Sequence, residues 1–274
     1  MRSFGSAILV LAAVLLAATA ACGAWLAQNV VSPAGFANLA QPLGENQEFQ
    51  AELSGAIAQQ AAASAADGLP EGISQLIEPV VQEIVAGVQQ DPGYPEAWTA
   101  TLEQSHAATF ESGIPTLDIG PLLNLVLAAV AGEIGTSVPD GESRPIALSG
   151  ADVSGQLERL TGFADAWPMF AAAAVLAALL GLLLARRRST TLALAGAGAL
   201  GAGVVLWLLA GAVPAVMDRF SPSNPVASTF ISALGPEASS AFQAWLIPLL
   251  LGAAFIFVLG LVFRLAAVAR RRVR

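Results

Sequence analysis

The amino-acid sequence predicts an all-α membrane protein, with four transmembrane helices and a mainly α-helical extracytoplasmic domain between helices 1 and 2. Three observations carry that expectation. The 274 residues are 55% hydrophobic and only 12% charged, about half the charge of an ordinary soluble domain. Four stretches are apolar over roughly 20 residues, the length a helix needs to cross about 30 Å of hydrocarbon. The charges separate by sign to either side of those stretches. A mean hydropathy of +0.67 agrees, and together these features exclude an ordinary cytosolic enzyme.

Residues 1–27 form the first predicted transmembrane helix, apolar from Phe4 to Leu26. Residues 28–165 make the extracytoplasmic domain. The second helix covers 166–185, a short cytoplasmic loop 186–189, and the third helix 190–213. An extracytoplasmic loop at 214–242, rich in Pro, Ser and Ala, either caps the domain or stays mobile. The fourth helix covers 243–263, and a basic cytoplasmic tail covers 264–274. No charged side chain lies inside the four apolar windows. A fifth apolar run, Pro121 to Ala131, is too short to span and is bordered by Asp118 and Glu133, which reads as a buried or interfacial helix.

Orientation follows from arginine, the only basic residue type apart from one histidine. Arg2, Arg186, Arg187, Arg188, Arg264, Arg270, Arg271, Arg272 and Arg274 fall on one side; only Arg144, Arg159 and Arg219 fall on the other, with all 20 acidic residues. The formal charge is +9 on the first side and −17 on the second, the sum being the chain's −8. Both termini are therefore expected in the cytoplasm, in a multi-pass plasma-membrane protein. Trp25, Trp167, Trp207 and Trp245 fit a belt at the outer interface. The arginines of the inner loop and tail would attract anionic inner-leaflet lipids, although topology alone explains them. Met1-Arg2 and the following apolar run also fit a secretory signal, and Ala20-Ala21-Cys22-Gly23 hints at a lipoprotein cleavage site, but Thr19 stands where such sites usually carry leucine. An uncleaved anchor is the expected form.

The external domain reads as a series of helices. Phe49, Leu53 and Ile57 recur every four residues, ending near Gly68. Ile73, Ile77, Val80, Val81, Ile84, Val85 and Val88 form a second stripe, with Pro79 as a kink. Pro95 suits the first turn of a third helix, on which Trp98, Leu102, His106 and Phe110 share a face. Pro121 starts a fourth. A fifth carries Leu157, Leu160 and Phe163 into the second span, with a bend at Pro168. Residues 116–119 and 145–148 flank the fourth helix and are able to pair as a small ribbon.

Few motifs carry chemistry. With Cys22 alone, no internal disulfide forms, and one cysteine with one histidine do not make a metal cluster. His106, with Glu103 one turn away, invites an acid–base reading, but no nucleophile stands out and there is no G-x-S-x-G, H-E-x-x-H or phosphate-cradling glycine loop. A histidine sharing a face with Trp98 and Phe110 is expected to be a packed core residue. The carboxylates are scattered with no calcium loop, and the charge pattern excludes nucleic acid. No catalytic, cofactor or metal residue is assigned; Trp98, His106 and Asp118 are the candidates for partner or ligand contact. Gly196, Gly198, Gly201 and Gly203 in the third span, and Ala174, Ala178 and Gly181 in the second, predict close packing within the bundle, with a dimerisation face as the alternative. Pro248 is placed to kink the fourth span.

Trp25-Leu26-Ala27, Phe36-Ala37-Asn38-Leu39, Pro42-Leu43, Phe49-Gln50, Trp98 followed by His106, and Leu117-Asp118-Ile119 before Pro121-Leu122-Leu123 occur in that order. In this the chain resembles an uncharacterised actinobacterial family of four-span integral membrane proteins with a helical extracytoplasmic domain. The resemblance covers nearly the whole chain and implies fold and location, but no activity.

The expected function is that of a non-enzymatic envelope protein whose acidic external domain binds a protein or cell-wall partner, in contact with membrane lipids and needing no cofactor. Handling of a lipid or hydrophobic ligand at the outer leaflet is the alternative, and a permease-type transport subunit a more distant one. The oligomeric state is left open.

Overall fold

The computed structural model describes residues 2–66, 91–122, 124–125, 145–148, 152–219 and 223–272. About 89% of it is helical. The elements are α1 (Arg2–Leu26), a π-helical turn (Ala27–Val31), α2 (Pro33–Glu45), α3 (Gln47–Ala66), α4 (Tyr94–Ser112), β1 (Thr116–Asp118), β2 (Pro145–Ala147), α5 (Ser154–Asp165), α6 (Trp167–Leu184), α7 (Arg188–Gly211), α8 (Val213–Arg219) and α9 (Pro225–Arg272). They form two compact units. The first comprises Met1–Gln28, Leu160–Ala212 and Ser239–Arg274; the second comprises Asn29–Arg159 and Val213–Ala238.

Four helical stretches, Phe4–Val31, Ser154–Leu184, Arg188–Gly211 and Pro225–Ala267, are long and apolar enough to cross a membrane. Within the first unit they turn large apolar side chains outward: Leu176 is 60% exposed, Leu208 61% and Phe255 64%. The buried positions are instead mostly small residues, with Val10, Trp25 and Leu246 as larger exceptions. A methyl group on Gly196 would run into the backbone of Phe257, and one on Gly260 into the backbone of Ala193, so α7 and α9 approach as closely as two backbones allow. At the other helix pair, the Ser6 hydroxyl donates to the Gly181 carbonyl at 2.8 Å, and a Cβ on Gly23 would sit 3.0 Å from that of Trp167. Ser239 donates to the Ala210 carbonyl at 2.8 Å, and the Gln243 amide to that of Trp207 at 3.1 Å. In hydrocarbon such bonds satisfy groups that water cannot reach. Ala174 and Gly181 of the second span and Gly196 of the third thus serve packing within the bundle.

The second unit has an apolar core. Its core gathers Ala40 and Leu43 from α2, Phe49 and Leu53 from α3, Tyr94, Trp98 and Leu102 from α4, and Val226 from α9. Each large side chain buried there contributes about 1.5–3 kcal/mol by leaving water. Local chemistry starts each helix. Ser32 caps α2 through the Gly35 N–H, with Pro33 in the first turn. The Asn46 side chain accepts from the Phe49 N–H at 3.1 Å, opening α3. Asp91 accepts from the Gly93 N–H at 2.7 Å, forming the turn before Pro95 and α4. Gly113, at φ 69°, ends α4 in the left-handed conformation that favours glycine. The ribbon pairs antiparallel, with Leu117 opposite Ile146.

Four sequence expectations change. Most of the described residues of 214–242 are helical rather than loop: α8 occupies Val213–Arg219, and α9 begins at Pro225 and runs 48 residues. The Asn224 side chain caps α9 through the Ala227 N–H. Val226, Phe230 and Leu234, four residues apart, then pack on the core of the second unit, which outweighs the turn bias of Pro236. The fourth span is accordingly the later part of a longer helix that continues through Pro248. Trp25 is buried against Phe242, with ring centroids 5.1 Å apart, rather than displayed in a belt; Trp207 is exposed. The junction of α5 and α6 turns at Ala166, with Pro168 in the first turn of α6, because proline is better accommodated there than inside a helix. The stripe from Ile73 to Val88, the kink at Pro79, the stop at Gly68 and the run 126–131 lie outside the described residues.

Candidate functional site

The three candidate contact residues lie together in the second unit, and all are buried. Trp98 is 3% exposed, His106 6% and Asp118 1%. Trp98 projects from α4 so that a side chain on Gly44 would meet its indole at 2.6 Å, and its Nε1 donates to the Ala40 carbonyl at 3.4 Å. Glycine at position 44 is what lets α2 and α4 close on that ring. Phe49 meets the indole edge-on at 6.3 Å, and Tyr94 stacks on it at 6.4 Å.

His106 lies one turn beyond Leu102. Its ring stacks on Phe110 at 4.2 Å and leans on Phe36 at 5.1 Å. Nε2 is 2.8 Å from the Val30 carbonyl. A carbonyl only accepts, so Nε2 carries the proton. Val30 belongs to the π turn that ends at Val31, where the last carbonyls lack helical partners; the imidazole fills one of these. Nδ1 is buried with no hydrogen-bond partner among the described residues. Burial pushes the imidazole below its ordinary pKa of 6.5, partly offset by the bond to Val30. Neither nitrogen engages Glu103, so the acid–base pairing suggested by their spacing is not formed.

Asp118 sits on β1. Its Oδ1 accepts from the Gly120 N–H at 2.9 Å, and its own N–H donates to the Ser105 hydroxyl at 2.8 Å, which donates in turn to the Thr101 carbonyl at 2.6 Å. These bonds fasten the ribbon to α4. Ser105, His106 and Asp118 thus supply three residue types known from hydrolases, but the serine hydroxyl is directed to a backbone carbonyl and not to the imidazole. The Tyr94 hydroxyl is buried without a partner among the described residues, and burial raises its pKa from 10.0 to about 12.

No family model, curated protein or solved structure matches this chain. What it can do is set by its own surfaces and cavities. Among the described residues, no group of three or more His, Cys, Asp or Glu side chains is arranged to hold a metal ion.

Two open clefts lie in the first unit, and the sequence reading assigned no site to them. One, of about 640 Å³, is bordered by Ala21, Trp167, Gly203, Trp245 and Leu250. The other, of about 610 Å³, lies between α1 and α7 and reaches Arg186 and Arg187. Both fall in the size range of small-molecule sites. Their sequence signal is the run of small residues in α7, which reads equally well as helix packing; which glycines meet a neighbour and which border a cleft depends on the arrangement of the helices. Gly203 borders the 640 Å³ cleft and a Cβ on it would still meet Leu250 at 2.6 Å, whereas Gly201 borders neither cleft and a Cβ there would meet nothing within 4 Å.

Proposed function

We propose that this chain is a non-enzymatic, multi-pass plasma-membrane protein of the cell envelope, with both termini cytoplasmic and its acidic unit outside, where that unit binds a basic protein or cell-wall partner. The resemblance to four-span actinobacterial proteins supports this location, as does the concentration of arginine on one side of the apolar helices. The observation that carries the reading is how the second unit uses its polar residues. Trp98, His106 and Asp118 are engaged inside the core, whereas Glu45, Glu48, Glu52, Glu96, Glu111 and Glu158 are exposed. Only Arg159 and Arg219 provide positive charge among the described residues of that unit. A surface of one sign favours a partner of the other.

Gentle extraction from native membranes followed by native mass spectrometry tests this reading. A partner at fixed stoichiometry is expected, and its retention should fall at least about tenfold in the E45Q/E48Q/E52Q variant. Recovery of the wild-type protein alone contradicts it. A second reading, retention of a hydrophobic molecule, is favoured by the 640 Å³ cleft beside Trp167 and Trp245. It predicts a small-molecule adduct that survives in the charge variant and is lost in Gly203→Leu.

A further inference from the structure

The cleft between α1 and α7 combines an apolar channel with a cationic end. One wall is α1, through Ala7, Val10 and Val14; the other is α7, through Leu194, Gly198 and Ala202. At one end stand Arg186, Arg187, Thr190 and Thr191. The α1 wall extends from Ser6 to Leu15, about 14 Å at 1.5 Å per residue. That is close to half of a hydrocarbon core of about 30 Å, the depth of one leaflet. Glycine at 198 keeps the channel wide: a Cβ there would approach Val14 Cγ2 at 3.2 Å.

The charge at the mouth has no counterpart near it within the first unit. Asp165 is the one acidic side chain of that unit. It precedes α6, whereas Arg186 follows it, so about 30 Å of helix separates them. The Thr190 and Thr191 N–H groups already bond the Arg187 carbonyl, at 3.0 and 3.1 Å. What remains at the mouth is two exposed guanidinium groups and the positive end of a 24-residue helix. Guanidinium matches phosphate in geometry as well as in charge.

We propose that this cleft is a binding site for one anionic phospholipid of the leaflet next to the Arg186–Arg188 loop, its phosphate held by Arg186 and Arg187 and one acyl chain lying between α1 and α7. Its inferred role is to fill the gap between the first and third spans. The site goes beyond the proposed function and requires only that the four helices lie in a membrane.

The test uses the full-length protein in nanodiscs of phosphatidylcholine mixed equally with phosphatidylglycerol, with retained lipids counted by native mass spectrometry. Wild-type protein is expected to retain one phosphatidylglycerol with about a tenfold preference over phosphatidylcholine, and R186Q/R187Q to retain the two lipids about equally. R270Q/R271Q/R272Q removes as much charge from the tail and should keep the preference. Ala7→Phe leaves the arginines in place and narrows the channel, and should lose the retained lipid; it keeps the test open if the arginine variant does not fold. The proposal is overturned by equal retention in the wild type, by an unchanged preference in R186Q/R187Q, by full retention in Ala7→Phe, by loss in the tail variant, or by a dimer that carries no lipid.

Discussion

The two units solve opposite packing problems. In the unit formed by Asn29–Arg159 and Val213–Ala238, Trp98, Phe49, Tyr94 and Leu102 are inside, and Glu45, Glu48, Glu52, Glu96, Glu111 and Glu158 are outside; Asp118 is the buried exception among the described carboxylates. In the apolar unit, Gly196 and Gly260 meet neighbouring backbones while Leu176, Leu208 and Phe255 face outward. Water rewards burial of large apolar area, so the first arrangement is driven by solvent. Lipid is as apolar as leucine, so helices there gain from close contact and interhelical hydrogen bonds. The same residue therefore has different worth in the two regions, and substitution experiments can measure the difference.

The largest effect is expected from Trp98→Ala, which empties the centre of the water-built core and should cost about 3–5 kcal/mol. Hydrogen exchange across α2, α3 and α4 in the intact protein should report it, with little change in α6 and α7. Gly260→Ala is the counterpart in the other unit. One methyl group forces the backbones of α7 and α9 apart, with an expected cost of about 1–3 kcal/mol in thermal unfolding in detergent. Gly201→Ala, with open space around it, should be neutral or slightly stabilising. If both glycines tolerate alanine alike, contact between small residues does not hold the spans.

His106→Ala comes next, at about 1–3 kcal/mol, because the Val30 carbonyl loses its donor and two aromatic contacts are lost. Its pH signature is more diagnostic. The folded imidazole titrates below its unfolded value of 6.5, so the unfolded chain binds the proton first as pH falls. Stability from neutral His106 is complete above about pH 7 and declines as pH drops through 6.5 toward the lower folded value. Unfolding followed between pH 5 and 8 should show that slope in the wild type and a flatter one in the variant. Tyr94→Phe should have the smallest effect, neutral or mildly stabilising, since the hydroxyl it removes is buried without a partner among the described residues. Because the phenol titrates near 12 when folded against 10.0 unfolded, wild-type stability should fall as pH rises from 10 to 12, and the variant should lose that component.

Much of the fold was legible because its signals are local. Apolar runs mark the spans, Pro95 marks the start of α4, and the two short extended pieces mark the ribbon. The start of α9 at Pro225 was not legible as helix, because proline content suggests loop while the deciding contacts, from Val226 and Phe230 to the core, involve partners far away in the chain. Trp25 has the sequence position of an interfacial residue, and its packing against Phe242 joins residues far apart in the chain. The candidate contacts had a similar ambiguity. Trp98 and His106 on one helical face fit a binding surface or a core, and the choice depends on Gly44 and on a Val30 carbonyl 76 residues away. The clefts of the apolar unit have no motif, since they arise where helices fail to touch.

In the proposed topology, four helices lie in lipid while the acidic unit folds in water on the outer side. Single cysteines in a Cys22→Ala background, probed with a membrane-impermeant maleimide on intact cells, test it most directly. Labelling is expected at Glu52→Cys and Glu111→Cys, and none at Ser189→Cys until the membrane is permeabilised. Labelling of Ser189→Cys in intact cells, or protection of both glutamate positions, would contradict it.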